Sequence, residues 1–149
     1  MIMNTKEMIN KKYCCFYASD FHLEMILLPY IKNNIDHKFV IFTEENLEDS
    51  MKILLNRINL KMEEKNKVIK LNWNIKKVED YSSYNFENHT IIICGMNKFV
   101  HKVNNELEKF DLNKCNIIDC YNINDKNIEF KEIQAKYDEI LNTKSYKKI

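Results

Sequence analysis

The chain predicts an α/β fold: a three-layer α/β/α sandwich around a mostly parallel sheet of about five strands, without a phosphate loop. Three observations predict it. Short continuous apolar runs alternate with stretches of helical periodicity, the pattern of strands joined by crossover helices. The 149 residues, 45% hydrophobic and 30% charged, are enough for one proper core without disulfides or metals. The third observation qualifies the fold: there is one glycine in the whole chain. Phosphate-cradling loops need backbone N–H groups that approach the anion closely and residues that accept positive φ, both of which favour glycine. The turn after the first strand, Ala18-Ser19-Asp20, has neither Gly nor Lys.

Each element has its own justification. Residues 1–11 are polar and expected to be flexible. Tyr13 to Ala18 (YCCFYA) is a continuous apolar run that suits a strand buried on both faces. Ser19 and Asp20 follow as helix-cap residues. The helix continues to about Asn34 with Leu23, Leu27, Tyr30 and Ile31 on one face, and Pro29 is expected to kink or restart it. Lys38 to Phe42 (KFVIF) is a second strand. Asn46 is placed to cap a helix whose Leu47, Met51, Leu54, Leu55 and Ile58 define one apolar face. Leu60 to Asn66 reads as a polar connection or short helix, and Lys67 to Trp73 (KVIKLNW) as a third strand. Residues 75–88 fit a short helix and then a loop. Thr90 to Cys94 (TIIIC) is a fourth strand, and Gly95-Met96-Asn97 turns it into a helix from Lys98 to Phe110 with Val100, Val103, Leu107 and Phe110 inward. Asn116 to Tyr121 (NIIDCY) is a fifth strand. A last helix is expected from about Glu129 to Leu141, followed by a flexible basic tail, 143–149. A single domain, 12–142, lies between the two flexible ends.

Composition excludes several classes. The formal net charge is +1, so no global field steers nucleic acid to this chain. The Lys61, Lys65, Lys67 cluster is interrupted by Glu63 and Glu64, and the tail lysines Lys144, Lys147 and Lys148 are few. Nucleic acid is therefore not an expected partner. No run of apolar residues is long enough for a membrane span or a signal peptide. The cysteines are Cys14, Cys15, Cys94, Cys115 and Cys120. Their odd number suggests a reducing, cytoplasmic setting, and those in strands behave as small hydrophobes. No CxxC, HxH or HExxH spacing points to a metal, and no cofactor is expected.

In open parallel sheets ligands bind beyond the carboxyl ends of the strands. Those ends supply the candidate ligand-binding set: Ser19, Asp20, Thr43, Glu44, Asn97, Asp119 and Cys120, with His22 one turn into the first helix. Glu45, Gly95 and Tyr121 share the same edge. The set is acidic and polar, with no cationic residue. It is a poor phosphate site and suits a cation or a polar organic ligand. Asp, Asn, Ser and Thr also favour helix caps and turns, so capping is the alternative role. Asp119-Cys120 with His22 has the residue types of a nucleophile and a base, but no elbow or oxyanion loop accompanies them, and no catalytic residue is assigned.

The order of features over residues 13–73 resembles the front of a RecA/KaiC-type ATPase domain: a strand (YCCFYA), a turn, a helix (HLEMILLPYIKNNI), and then FVIFTEENLEDSMKILL as second strand, acidic turn and helix. The chain departs from those ATPases in having no GxxxxGK[ST], and TIIICGM ends without a Walker-B Asp. That combination is similar to the MEDS sensory domains, small degenerate relatives found in bacterial and archaeal regulators. FYASD and LLPYIKNNIDHKFVIFTEE echo their pattern, with Tyr13 where a His is common and with Asn34 and His37 in place of Gly. The resemblance implies a cytoplasmic, non-catalytic sensory or regulatory module that acts through a protein partner or a second copy of itself. Two alternatives remain beside it: a small enzyme using an acidic cleft of Asp20, Glu44, Asp119 and Cys120, and a nucleotide binder without a Walker A loop.

Overall fold

The computed structural model describes residues 11–126, 128–142 and 145–148, the last four as backbone only. The elements run β1 (Lys12–Tyr17), α1 (Asp20–Asn33), β2 (Lys38–Thr43), α2 (Glu48–Leu55), α3 (Met62–Lys70), a 3₁₀ turn (Val78–Tyr81), β3 (His89–Gly95), α4 (Asn97–Leu107), β4 (Asn116–Asn122), α5 (Phe130–Gln134), β5 (Glu139–Asn142) and β6 (Ser145–Lys148). The sheet order is β2-β3-β4-β1-β5-β6. The first five strands in that order are mutually parallel, and β6 pairs antiparallel with β5. The expected α/β class with a mostly parallel sheet is what forms.

The continuous apolar runs become strands because both of their faces are covered. β3 is buried at every position, and its Ile91, Ile92 and Ile93 carry branched side chains suited to a pleated, packed surface. On one face Cys15, Ile41, Ile92, Ile118 and Leu141 meet Leu23, Leu27, Met51, Leu54, Val68 and Trp73 from α1, α2 and the α3 region. On the other face Cys14, Phe42, Ile91, Ile93 and Ile117 meet Val78, Val100, Val103, Leu107 and Ile133. These are the three layers. Each face is an apolar cluster of branched and aromatic side chains, and burial of this kind is the main stabilising contribution of such a fold.

Four local expectations are corrected. Residues 67–73 do not form a strand: Met62–Lys70 is α3, with Glu63 and Glu64 in its first turn and Lys67 and Lys70 in its last, a charge order that complements the helix dipole. Its Val68 faces the core, and the Trp73 indole N–H donates to the Val68 carbonyl at 2.9 Å, closing the helix end. The helix expected over 129–141 stops at Gln134, and the fifth parallel strand is β5, held beside β1 by the Asp138 N–H to Lys12 carbonyl bond of 2.8 Å. Pro29 does not restart α1, which runs as one helix from Asp20 to Asn33. Asn46 does not cap α2 directly. The first flanking position is Leu47, and the Asn46 side chain accepts from the Glu48 N–H at 2.9 Å in a local turn.

Of the expected flexible ends, residues 1–10 lie outside the described residues, as do 143, 144 and 149; Ser145–Lys148 between them carries β6. Among the described residues no helix is long and apolar enough to cross a membrane.

Candidate functional site

The ends of four parallel strands meet at one edge of the sheet, and a cavity of about 290 Å³ opens there. The last residues of β1 to β4 line it in turn: Tyr17, Thr43, Gly95 and Asn122. Asp20 and Leu23 enter from the first turn of α1, Glu44, Glu45 and Leu47 from the β2–α2 connection, and Met96 from the start of α4. Three carboxylates and no cationic side chain line the space. Among the described residues no group of three His, Cys, Asp or Glu side chains is arranged to hold a metal ion.

The only glycine sits where the geometry demands one. A Cβ on Gly95 would lie 2.7 Å from Glu44 Oε1, 2.7 Å from Phe99 Cδ2 and 3.0 Å from Glu44 Cβ. The absent side chain lets the β2–α2 turn close onto the end of β3. The Glu44 N–H donates to the Cys94 carbonyl at 3.0 Å, and Glu44 Oε1 accepts the Met96 N–H at 2.9 Å.

At each of the three helix N-termini at this edge one first-turn amide is engaged by a side chain of the protein itself. Ser19 Oγ accepts the His22 N–H at 3.1 Å in α1. Asn46 Oδ1 takes the Glu48 N–H in α2, and Asp125 Oδ2 takes the Asn97 N–H at 2.8 Å in α4. Such amides are the usual seats for a phosphate. Here side-chain oxygens, two of them from the carboxylates Glu44 and Asp125, take their place.

The candidate residues are therefore split. Asp20, Thr43 and Glu44 line the cavity, although the Thr43 hydroxyl is turned to the Glu45 carbonyl at 2.6 Å. Ser19 and His22 serve the turn: His22 Nδ1 accepts the Ala18 N–H at 2.9 Å. Asn97 contributes its backbone to the α4 cap. Asp119 and Cys120 do not reach the cavity. β4 extends to Asn122, so Asp119 lies three positions inside the strand end, roughly 10 Å below the edge at a rise of about 3.3 Å per residue.

Asp119 and Cys120 point to opposite faces, and each is buried for its own reason. Asp119 Oδ2 accepts the Tyr137 hydroxyl at 2.6 Å, and Oδ1 accepts the Asn104 amide at 3.1 Å. Burial raises its carboxyl above the usual range, against the opposing effect of those two bonds. The Tyr137 and Tyr121 hydroxyls lie 2.5 Å apart, and burial pushes the Tyr121 phenol up to about 12. Cys120 stands in register with Cys15 on one side and Cys94 on the other, all three in the same apolar cluster. Burial, reinforced by those two neighbouring thiols, holds the Cys120 thiol well above its ordinary value. A catalytic cysteine needs a thiolate in an electropositive, accessible niche, and this row of thiols is the opposite.

Asn122, Met96 and Asp125 are site residues that sequence reasoning missed. The strand-end rule would have found Asn122 had β4 been read one residue longer. Nothing local marks Asp125, which reaches Asn97 across the sheet edge. Comparison with protein-family models, curated proteins and solved structures yields no match for this chain.

Proposed function

We propose that this chain is a non-catalytic regulatory or sensory domain that takes a small organic cation in the cleft at the carboxyl ends of β1–β4 and acts through a protein partner, a second copy of the chain included. The observation that carries the ligand class is the cavity itself. It is bordered by Asp20, Glu44 and Glu45, offers hydrogen-bond acceptors, and has no cationic side chain to neutralise an anion. Among the described residues no three-ligand metal constellation is present, which favours an organic amine over a metal ion. The resemblance of residues 13–73 to MEDS sensory domains supports the regulatory role. Five buried, unpaired cysteines fit a reducing, cytoplasmic setting.

The test is a calorimetric titration of the purified protein with a simple polyamine, spermidine, and in parallel with ADP and inorganic phosphate. The expected result is saturable amine binding that is lost in Asp20→Asn and Glu44→Gln, unchanged in Cys120→Ser, and absent for ADP and phosphate. Binding of ADP with the amine inert would replace this reading with the nucleotide-binding one. Amine binding that survives both carboxamide substitutions would sink the assignment to this cleft.

A further inference from the structure

Behind the cleft, α1 and α2 are joined by a buried carboxyl group that the proposed ligand site does not use. Glu24 is 0% exposed on the face of α1 turned to α2. Its Oε2 is hydrogen-bonded to the Ser50 hydroxyl, and its Oε1 has no partner. Ser50 Oγ also lies 3.3 Å from the Leu47 carbonyl. That second acceptor decides which protonation state the site satisfies. A neutral Glu24 can donate its own proton to Ser50 and Ser50 its hydroxyl hydrogen to Leu47, which leaves only an uncharged carbonyl oxygen, Oε1, without a donor. An ionised Glu24 takes the Ser50 hydrogen and leaves a second anionic oxygen with no donor in an apolar interface, which is costly.

We propose that Glu24 is a protonation-dependent latch between α1 and α2: neutral, it holds the two helices together behind the cleft, and ionised, it loosens them. The location gives the latch a consequence. Asp20, one turn before Glu24, and Leu23, its neighbour in sequence, line the cavity, and so does Leu47, whose carbonyl lies within reach of Ser50 Oγ. Movement of α2 away from α1 therefore changes the cavity wall.

The groups around Glu24 agree with titration in the physiological range. Burial is the main cause that raises its carboxyl to about 7; the Ser50 bond opposes it and the Asp20 charge adds to it. On α2 the charged side chains are Glu48, half-buried, and Asp49 and Lys52, both exposed. From the sheet, β1 presents Tyr13, Cys15 and Tyr17 on this face, and β5 presents Glu139, which Lys11 neutralises at 2.8 Å. Among the described residues none of these is a cation placed to stabilise ionised Glu24.

The experiment follows the carboxyl carbon of Glu24 by NMR from pH 4.5 to 9, and the hydrogen-exchange opening of α2 amides over the same range, corrected for the intrinsic rate. The expected midpoint is near 7. Opening of Met51 to Leu55 should rise with pH, by up to about tenfold per pH unit, between the ordinary carboxylate value of about 4.3 and that midpoint, and level off above it, because only in that window does opening release a proton. Glu24→Gln, which keeps a neutral side chain of the same shape, should make α2 opening independent of pH. A Glu24 midpoint below 5.5, or wild-type α2 opening that does not change between pH 6 and 8.5, overturns the latch, and both readings come from the wild-type protein alone.

Discussion

Gly95→Ala tests the geometry of the cleft most directly, because one methyl group is added where the chain has its only glycine. The new Cβ would lie 2.7 Å from both Glu44 Oε1 and Phe99 Cδ2, against an ordinary contact of about 3.5–4.0 Å. Phe99 is half-buried and packed on the α4 face of the sheet, so it yields poorly. Overpacking of this kind costs about 1–3 kcal/mol. Glu44 is exposed and can swing away, but it then gives up the Met96 N–H, a loss of about 0.5–1.5 kcal/mol for a solvent-accessible bond. Restricting the unfolded chain returns about 0.4–1 kcal/mol. The net is about 2–3 kcal/mol of destabilisation, or a fall in Tm of about 4–12 °C for a domain of this size. Urea denaturation of wild type, Gly95→Ala, Glu44→Ala and the double variant measures it. Removing the Glu44 carboxylate takes away one of the two clashing groups, so the double variant should be at least about 1 kcal/mol more stable than the two single effects added together. Additivity within about 0.3 kcal/mol would refute the claim that Gly95 is there to admit Glu44.

Two further predictions concern the buried polar and thiol groups of β4. Asp119→Ala removes the carboxylate acceptor of the Tyr137 hydroxyl and of one Asn104 amide hydrogen, leaving Tyr137 only Tyr121 and Asn104 only the Val100 carbonyl, and should cost about 1–3 kcal/mol in chemical denaturation. Because burial raises the Asp119 carboxyl, its contribution is fully present below the unfolded value of about 3.9 and falls as pH rises through the higher folded value; Asp119→Asn should reduce that slope, and an unchanged slope would contradict the cause given. The five cysteines should resist an aromatic disulfide reagent in the native protein and all react in guanidinium, since every one is buried and burial pushes Cys14, for example, to about 12. One thiol reacting rapidly under native conditions would contradict the packing described for it.

Much of the fold is legible in the residues because burial on both faces leaves a simple signature. The runs YCCFYA, KFVIF, TIIIC and NIIDCY are β1 to β4 to within a residue or two, and the inward faces of α1, α2 and α4 are the ones their spacing marks. Two elements resisted for different physical reasons. In KVIKLNW, Ile69, Leu71 and Trp73 alternate as in a strand while Val68 and Leu71 stand three apart as on a helix face, and the decision falls to the flanking charges and to the indole bond that ends α3, which no local pattern shows. β5 is four residues long, too short to carry a period, and its stability comes from pairing with β1 at the far end of the chain. The site followed the same division. The strand-end rule found Asp20, Thr43 and Glu44, whereas Asp119 and Cys120 were placed at an end that β4 extends beyond, and Asn122 was missed for the same one-residue reason.

The scarcity of glycine and the acidic cleft are parts of one arrangement. A phosphate loop holds an anion with backbone amides that glycine leaves accessible. At this edge the amides of Met96 and Asn97 instead face carboxylates from Glu44 and Asp125. If these carboxylates fill the anion seats, removing one must expose a helix terminus that has lost its partner. Asp125→Ala should therefore cost about 0.5–2 kcal/mol, the range for losing an N-terminal cap, whereas Asp125→Asn, which keeps an acceptor oxygen and loses only the charge, should cost a few tenths. The two variants compared in urea denaturation separate the hydrogen bond from the charge. Equal losses for both would assign the effect to charge, and no loss in either would mean that water serves the Asn97 amide equally well. In that last case an external anion would meet no built-in competitor at the Asn97 amide, and the argument for a cationic ligand would rest on the Asp20, Glu44 and Glu45 lining alone.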